Sequence, residues 1–167
     1  MPDTRLAVDS NFLMNLAHPK DVALDALEVI HRRLRGAQIL AVPRVVKELA
    51  IKVIKEPDPE KRARARRALA SMGTWGICSV ELTDLQKTIA RSIAGKLLDQ
   101  GIIPPEERND ALILAEAAFT RCNMLVTSDA HLLHIDRQRL RTLFAEHGIG
   151  APVILSPWKI VSGFSGK

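Results

Sequence analysis

The 167-residue chain has only two cysteines, Cys78 and Cys122, which excludes a disulfide framework and points to a reducing, cytoplasmic setting. It has no tyrosine, four phenylalanines and two tryptophans. That is too little aromatic surface for a module that stacks successive bases on rings. No apolar run approaches the roughly 18 residues of a membrane span. Met1 to Val8 has no long apolar stretch, so no signal peptide is expected. Neither G-x-x-x-x-G-K-[ST] nor G-x-G-x-x-G occurs, which removes the common glycine-rich phosphate loops. There is no internal repeat, linker or low-complexity block.

What is present is a globular balance with a basic excess. Hydrophobic residues make up 47% and charged residues 26%, against a disordered chain. Lysine and arginine number 24 and the acids 19, a net charge of +5 that favours an anionic partner, nucleic acid above all. With few rings to stack on, contacts to such a partner should fall mostly on phosphate. At about 150 residues per domain the length reads as one domain, with boundaries at 1–161 and residues 162–167 as a flexible tail.

Short apolar runs alternate with helical patterns. Arg5–Val8, Gln38–Val42, Ile77–Leu82, Met124–Thr127 and Val153–Leu155 read as strands. Between them the pattern predicts helices over Asn11–Ala17, capped by Ser10 and interrupted at His18-Pro19, and over Asp21–Arg35, Pro43–Lys55 and Glu60–Met72. Further helices are predicted over Asp84–Gln100, capped by Thr83, then Pro104–Arg121, Asp129–Leu133 and Asp136–His147. Such alternation implies an α/β fold, a three-layer α/β/α arrangement with a short-stranded, mostly parallel central sheet. Ligands of such sheets bind at the carboxyl ends of the strands, at a topological switch point.

Acids stand where that edge should be. Asp9 follows Ala7-Val8, and Asp129 follows Val126-Thr127-Ser128. Taken singly, each is also a good helix cap. Asp110 opens the apolar stretch Ala111-Leu112-Ile113-Leu114-Ala115. Glu48 lies one turn into its helix, and its plain alternative is a solvated edge position. Gathered in one cleft, four carboxylates would repel by several kcal/mol unless a cation neutralised them. Oxygen-only ligands select a hard ion, Mg²⁺ or Mn²⁺. A basic protein with a small acidic metal pocket has what phosphodiester hydrolysis needs.

Four segments in this order, Ala7-Val8-Asp9-Ser10-Asn11, Val45-Val46-Lys47-Glu48-Leu49, Asn109 to Ala115 and Leu125-Val126-Thr127-Ser128-Asp129, resemble PIN-domain nucleases, and more narrowly VapC-like toxins of toxin–antitoxin pairs. Leu155-Ser156-Pro157-Trp158 looks like the closing strand and turn of that family. The resemblance spans residues 4 to 160. It implies a PIN-like fold with Asp9, Glu48, Asp110 and Asp129 as catalytic and metal-binding acids. Asn11 and Thr127 would orient carboxylates or water. It implies Mg²⁺- or Mn²⁺-dependent endonucleolytic cleavage of single-stranded RNA, an antitoxin protein as partner, and a homodimer. RNA processing or quality control outside a toxin–antitoxin pair is the alternative within the family.

Other signals rank below these. Lys61 to Arg67 holds five cations in seven residues. Arg62, Arg64, Arg66 and Arg67 there read either as a solvated helix or as an RNA-contacting ridge. His131 and His134 lack a third ligand at transition-metal spacing. Glu106, Glu107 and Glu116 read as solvated, Asp136 as a helix cap, and Cys78 and Cys122 as small buried residues. An aspartyl phosphatase would want a second aspartate where Asn11 stands. A binding domain whose acids hold no metal is the non-enzymatic alternative.

Overall fold

Each apolar run expected as a strand contains one in the computed structural model, which describes residues 3–18 and 21–164, though Val42, Val80 to Leu82 and Thr127 lie outside the strands. In chain order, β1 (Arg5–Val8) leads to α1 (Ser10–Leu16) and α2 (Val22–Arg33), then β2 (Gln38–Ala41), α3 (Pro43–Lys55) and α4 (Pro59–Ser71). There follow β3 (Ile77–Ser79), α5 (Asp84–Asp99), α6 (Arg108–Phe119) and β4 (Met124–Val126). The chain closes with α7 (Ala130–Leu133), α8 (Arg137–Glu146), β5 (Val153–Leu155) and α9 (Pro157–Phe164).

The sheet runs β3-β2-β1-β4-β5, and every pairing is parallel. Its strands are apolar on both faces, as burial from both sides demands. Leu6, Ala7, Val8, Leu125 and Val126 are fully buried. Strands of three or four residues offer helices of 12 to 16 residues little area. Helices also pack on one another: α5 with α6, α3 with α4 and α2 with α9. This corrects the expected three-layer, mostly parallel, PIN-like arrangement. Among the described residues the protein is a wholly parallel five-stranded sheet with nine helices.

Local chemistry fixes most boundaries. Thr83 and Gln86 form a reciprocal capping box at the start of α5. Asp9 rather than Ser10 caps α1, accepting from the Phe12 N–H at 2.8 Å. The helix expected from Pro104 begins only at Arg108, after a turn closed by the Glu107 N–H donating to Pro104 O at 2.9 Å. Pro105 disfavours a helical backbone at Pro104, the residue before it. Ser156 accepts from the Lys159 N–H at 3.0 Å and Pro157 occupies the first helical position, so the stretch expected as a turn starts α9 instead. Ile160 anchors that helix in the core. Residues 162–164 of the expected tail belong to α9; residues 165–167, and Pro19 of the expected break after α1, lie outside the described residues. Cys122 is buried as expected, but Cys78 is exposed. No helix among the described residues is long and apolar enough to cross a membrane.

Helices α5 and α6 end on the same paired hydrogen bonds. Ile102 N–H reaches Leu97 O at 3.0 Å and Gly101 N–H reaches Leu98 O at 3.0 Å. Cys122 N–H reaches Ala117 O and Arg121 N–H reaches Ala118 O, also at 3.0 Å. This closure needs a left-handed residue. Gly101 supplies it at φ 68°, whereas Arg121 is forced to φ 60°. Because the left-handed region costs a residue with a Cβ about 1–2 kcal/mol, Arg121→Gly should raise the unfolding free energy by about 1 kcal/mol and Gly101→Ala should lower it by a similar amount. Urea denaturation of the two variants checks both signs.

Candidate metal centre

The switch point of the sheet lies between β1 and β4, where the crossovers depart in opposite directions. Asp9 leaves the end of β1 and is nearly inaccessible, at 3% exposure. Its Oδ1 accepts from the Phe12 N–H, and its Oδ2 accepts from the Thr127 hydroxyl. Thr127 is fully buried just beyond β4, and its Oγ1 also accepts the Asp129 N–H at 3.0 Å. One hydroxyl thus ties the ends of the two central strands and sets the positions of both aspartates. Asp129 caps α7, its Oδ1 accepting from the His131 N–H at 2.8 Å.

Asp110 stands in the first turn of α6, half-buried, and its Oδ2 is shielded from water with no hydrogen-bond donor. Glu107 precedes it at the N-cap of α6 but makes no capping bond. One carboxylate oxygen each from Glu107, Asp110 and Asp129 lies within 4.8 Å of the others. Small side-chain movements would let three oxygens this near one another share one hard divalent cation. The donor set is all oxygen, the type a hard divalent cation takes. Glu48, on α3, also has a buried oxygen, Oε2, with no donor. The residues present therefore fit such an ion.

The electrostatics show the strain of gathering them. Burial pushes the Asp9 carboxyl up to about 6, against the pull of its two hydrogen bonds, and the charges of Glu48 and Asp129 push the same way. Burial pushes Asp110 up to about 8, helped by the charges of Asp129 and Glu107. A shared proton or a bound cation relieves such a cluster.

The structure thus brings Asp110 and Asp129 into one oxygen cluster and sets Asp9 and Glu48 beside it, with Asp9 sensing both Glu48 and Asp129. Glu107 is the member that sequence reasoning missed. It was expected to be solvated, yet it joins the cluster and lies 3.4 Å from His131 Nε2. The signal was available: acids three apart at a helix start face the same side. Glu116 was also misread as solvated; it is buried, and its Oε1 accepts the Arg44 N–H at 2.8 Å. Asn11 is exposed on α1 and hydrogen-bonds none of the acids. His134 is exposed and outside the cluster, while Asp136 caps α8.

The basic ridge on α4 is divided. Arg62 braces the preceding turn, donating to Glu56 O at 2.8 Å and Pro57 O at 3.2 Å. Arg64 is half-buried and pairs with Glu60. Arg66 and Arg67 are exposed.

No protein-family model and no curated protein matches the chain. Among solved structures, it is similar to a chain of VapBC2 from Rickettsia felis bound to a DNA fragment from their promoter. The TM-score is 0.62 at 16% identity, over 92% of this chain and 98% of that one. It is also similar to a chain of FitAcB from Neisseria gonorrhoeae, with a TM-score of 0.56 at 13% identity over the same shares. These likenesses show a common α/β fold. They correct the resemblance drawn from the sequence: no family match supports PIN-domain nucleases, and the structural neighbours are described as VapBC2 and FitAcB complexes, not as PIN nucleases. Short motifs around single acids, each of them also a helix cap or an ordinary helix residue, do not carry a family assignment.

An acid whose carboxyl is raised on folding stabilises the fold fully below its unfolded value, near 3.8, and loses that contribution as pH rises through the folded value. In EDTA, the melting temperature should therefore fall between pH 5 and pH 8, as Asp9 and then Asp110 ionise. Asp110→Asn should flatten the upper part of that decline. Calorimetry across the range checks this; an unchanged slope in the variant would remove Asp110 from the cluster.

Proposed function

We propose that the chain is a metal-dependent endoribonuclease that hydrolyses phosphodiester bonds of single-stranded RNA, acting as the nuclease of a toxin–antitoxin pair. The observation that carries the reading is the meeting of Glu107, Asp110 and Asp129 at the switch-point edge of a basic protein. Glu107, Asp110 and Asp129 would hold a Mg²⁺ or Mn²⁺ ion, which would offer positive charge to a phosphate oxygen and make a bound water more acidic.

The chain's own residues do the positioning. Thr127 holds Asp9 and Asp129 at fixed orientation through its single hydroxyl. Glu48 Oε2 and Asp110 Oδ2, buried without donors, are acceptors available to a cation or to a proton of water. The net charge of +5 draws a polyanion to a site whose acids would otherwise repel it. The fold shared with VapBC2, whose structure is bound to a DNA fragment from their promoter, and with FitAcB supports a place in a toxin–antitoxin pair, with an antitoxin as partner.

The test is incubation of the protein with single-stranded RNA or DNA in Mg²⁺, Mn²⁺ or EDTA. RNA should be cut internally with either cation and left whole in EDTA. Asp110→Asn should abolish cutting while the fold persists, and Thr127→Val should lower the rate by about 10–100-fold. In millimolar Mn²⁺ the melting temperature should rise. RNA bound but uncut with either ion would replace the enzyme with a binding domain.

A further inference from the structure

A second charged feature lies between α3, α5 and α6. Arg44 and Lys47 of α3, Lys87 and Arg91 of α5, and Glu116 of α6 line a groove of about 290 Å³. That is close to the lower limit of ligand pockets, about 300 Å³. Four cations face a single acid, and that acid is already engaged: buried Glu116 accepts the Arg44 N–H and so terminates α3, whose own N-cap, Val42, offers no side-chain bond. Lys47, Lys87 and Arg91 are exposed, and none forms an ion pair among the described residues. The Arg44 guanidinium is anchored on Asn109 Oδ1, while its Nε is buried with no acceptor.

Like charges brought together around an open groove lower their energy by accepting an anion. The groove and the acids draw on the same two helices, α3 and α6. Lys47 neighbours Glu48 on α3, and Asn109, which holds Arg44, neighbours Asp110 on α6. We propose that this groove seats a backbone phosphate of the RNA strand next to the one that is cut, with Lys47, Lys87 and Arg91 as its contacts and Arg44 as the fixed charge at its floor. The role as a subsite for cleavage rests on the ribonuclease reading; the binding of single-stranded RNA there does not. The site would favour strands that continue past the scissile bond over short fragments that stop at it, because only the former carry the second phosphate.

Binding of a fluorescent single-stranded oligoribonucleotide, measured in EDTA across a salt series, separates the two claims. For Lys47→Gln/Lys87→Gln/Arg91→Gln the affinity should drop by about tenfold or more, and the slope of log K against log salt should become shallower by about 2, since each contact to a single strand contributes about 0.7. Lys47→Arg/Lys87→Arg should keep both near wild type, and an unchanged melting temperature in the triple variant guards against misfolding. Loss of RNA binding in a protein that cuts no RNA would uphold the groove and refute the nuclease. Unchanged affinity and slope in the triple variant would overturn the groove, whether or not the wild type cuts. Loss of binding to a glutamate-rich peptide alone, with RNA binding intact, would overturn it too, since the groove would then serve an acidic protein segment.

Discussion

Negative charge concentrated at one point of the sheet is the constraint around which this molecule is built. Two carboxylates about 5 Å apart repel by on the order of 3 kcal/mol at an effective dielectric near 20. Three do so at Glu107, Asp110 and Asp129, with Asp9 and Glu48 beside them. A fold of ordinary stability, about 5–15 kcal/mol, tolerates that only if packing elsewhere holds the acids in place. The rigid frame is the β1–β4 pair, fully buried along Ala7, Val8, Leu125 and Val126 and latched by the Thr127 hydroxyl. Asp9 and Asp129 cannot swing apart without breaking that latch and their own helix caps.

The same helix that supplies acids to one side supplies a counterweight to the other. Along α6, Asp110 meets the acidic cluster while Glu116, further along, is absorbed by the start of α3. Glu116 is therefore not a sixth member of the cluster; its charge is spent on an N–H group and on the cations around it. Arg44 spans these two environments, receiving Glu116 at its backbone and Asn109 at its guanidinium. A cationic groove beside an acidic, cation-fitting pocket is a sensible pair for handling a polyanion. In the proposed reading, one would hold the strand and the other the reacting group.

Much of the local structure is legible in the chain. Apolar runs of three or four residues bounded by polar ones give the strands, and Thr83, Pro43 and Asp136 mark helix starts by their own side-chain chemistry. Asp9, Asp110 and Asp129 stand out because each follows or opens an apolar segment. Less visible were the residues with two roles open to them. Glu107 looked like one of several surface acids, and Asn11 looked like a helper of Asp9 although it stands exposed to water. Neither difference is a matter of propensity. Each depends on where a helix axis lies relative to the strand ends.

The sequence alone determined the alternation of strand and helix, the capping residues and the basic balance of the surface. These follow from side-chain chemistry and from dihedral preferences acting over a few residues. Only the tertiary structure decided the strand order, the wholly parallel pairing of the sheet, the entry of Glu107 into the acidic cluster and the burial of Glu116. Those outcomes join residues as distant as Asp9 and Thr127, or Arg44 and Glu116. They are set by how whole elements pack to bury apolar area, a quantity that no short window of residues contains.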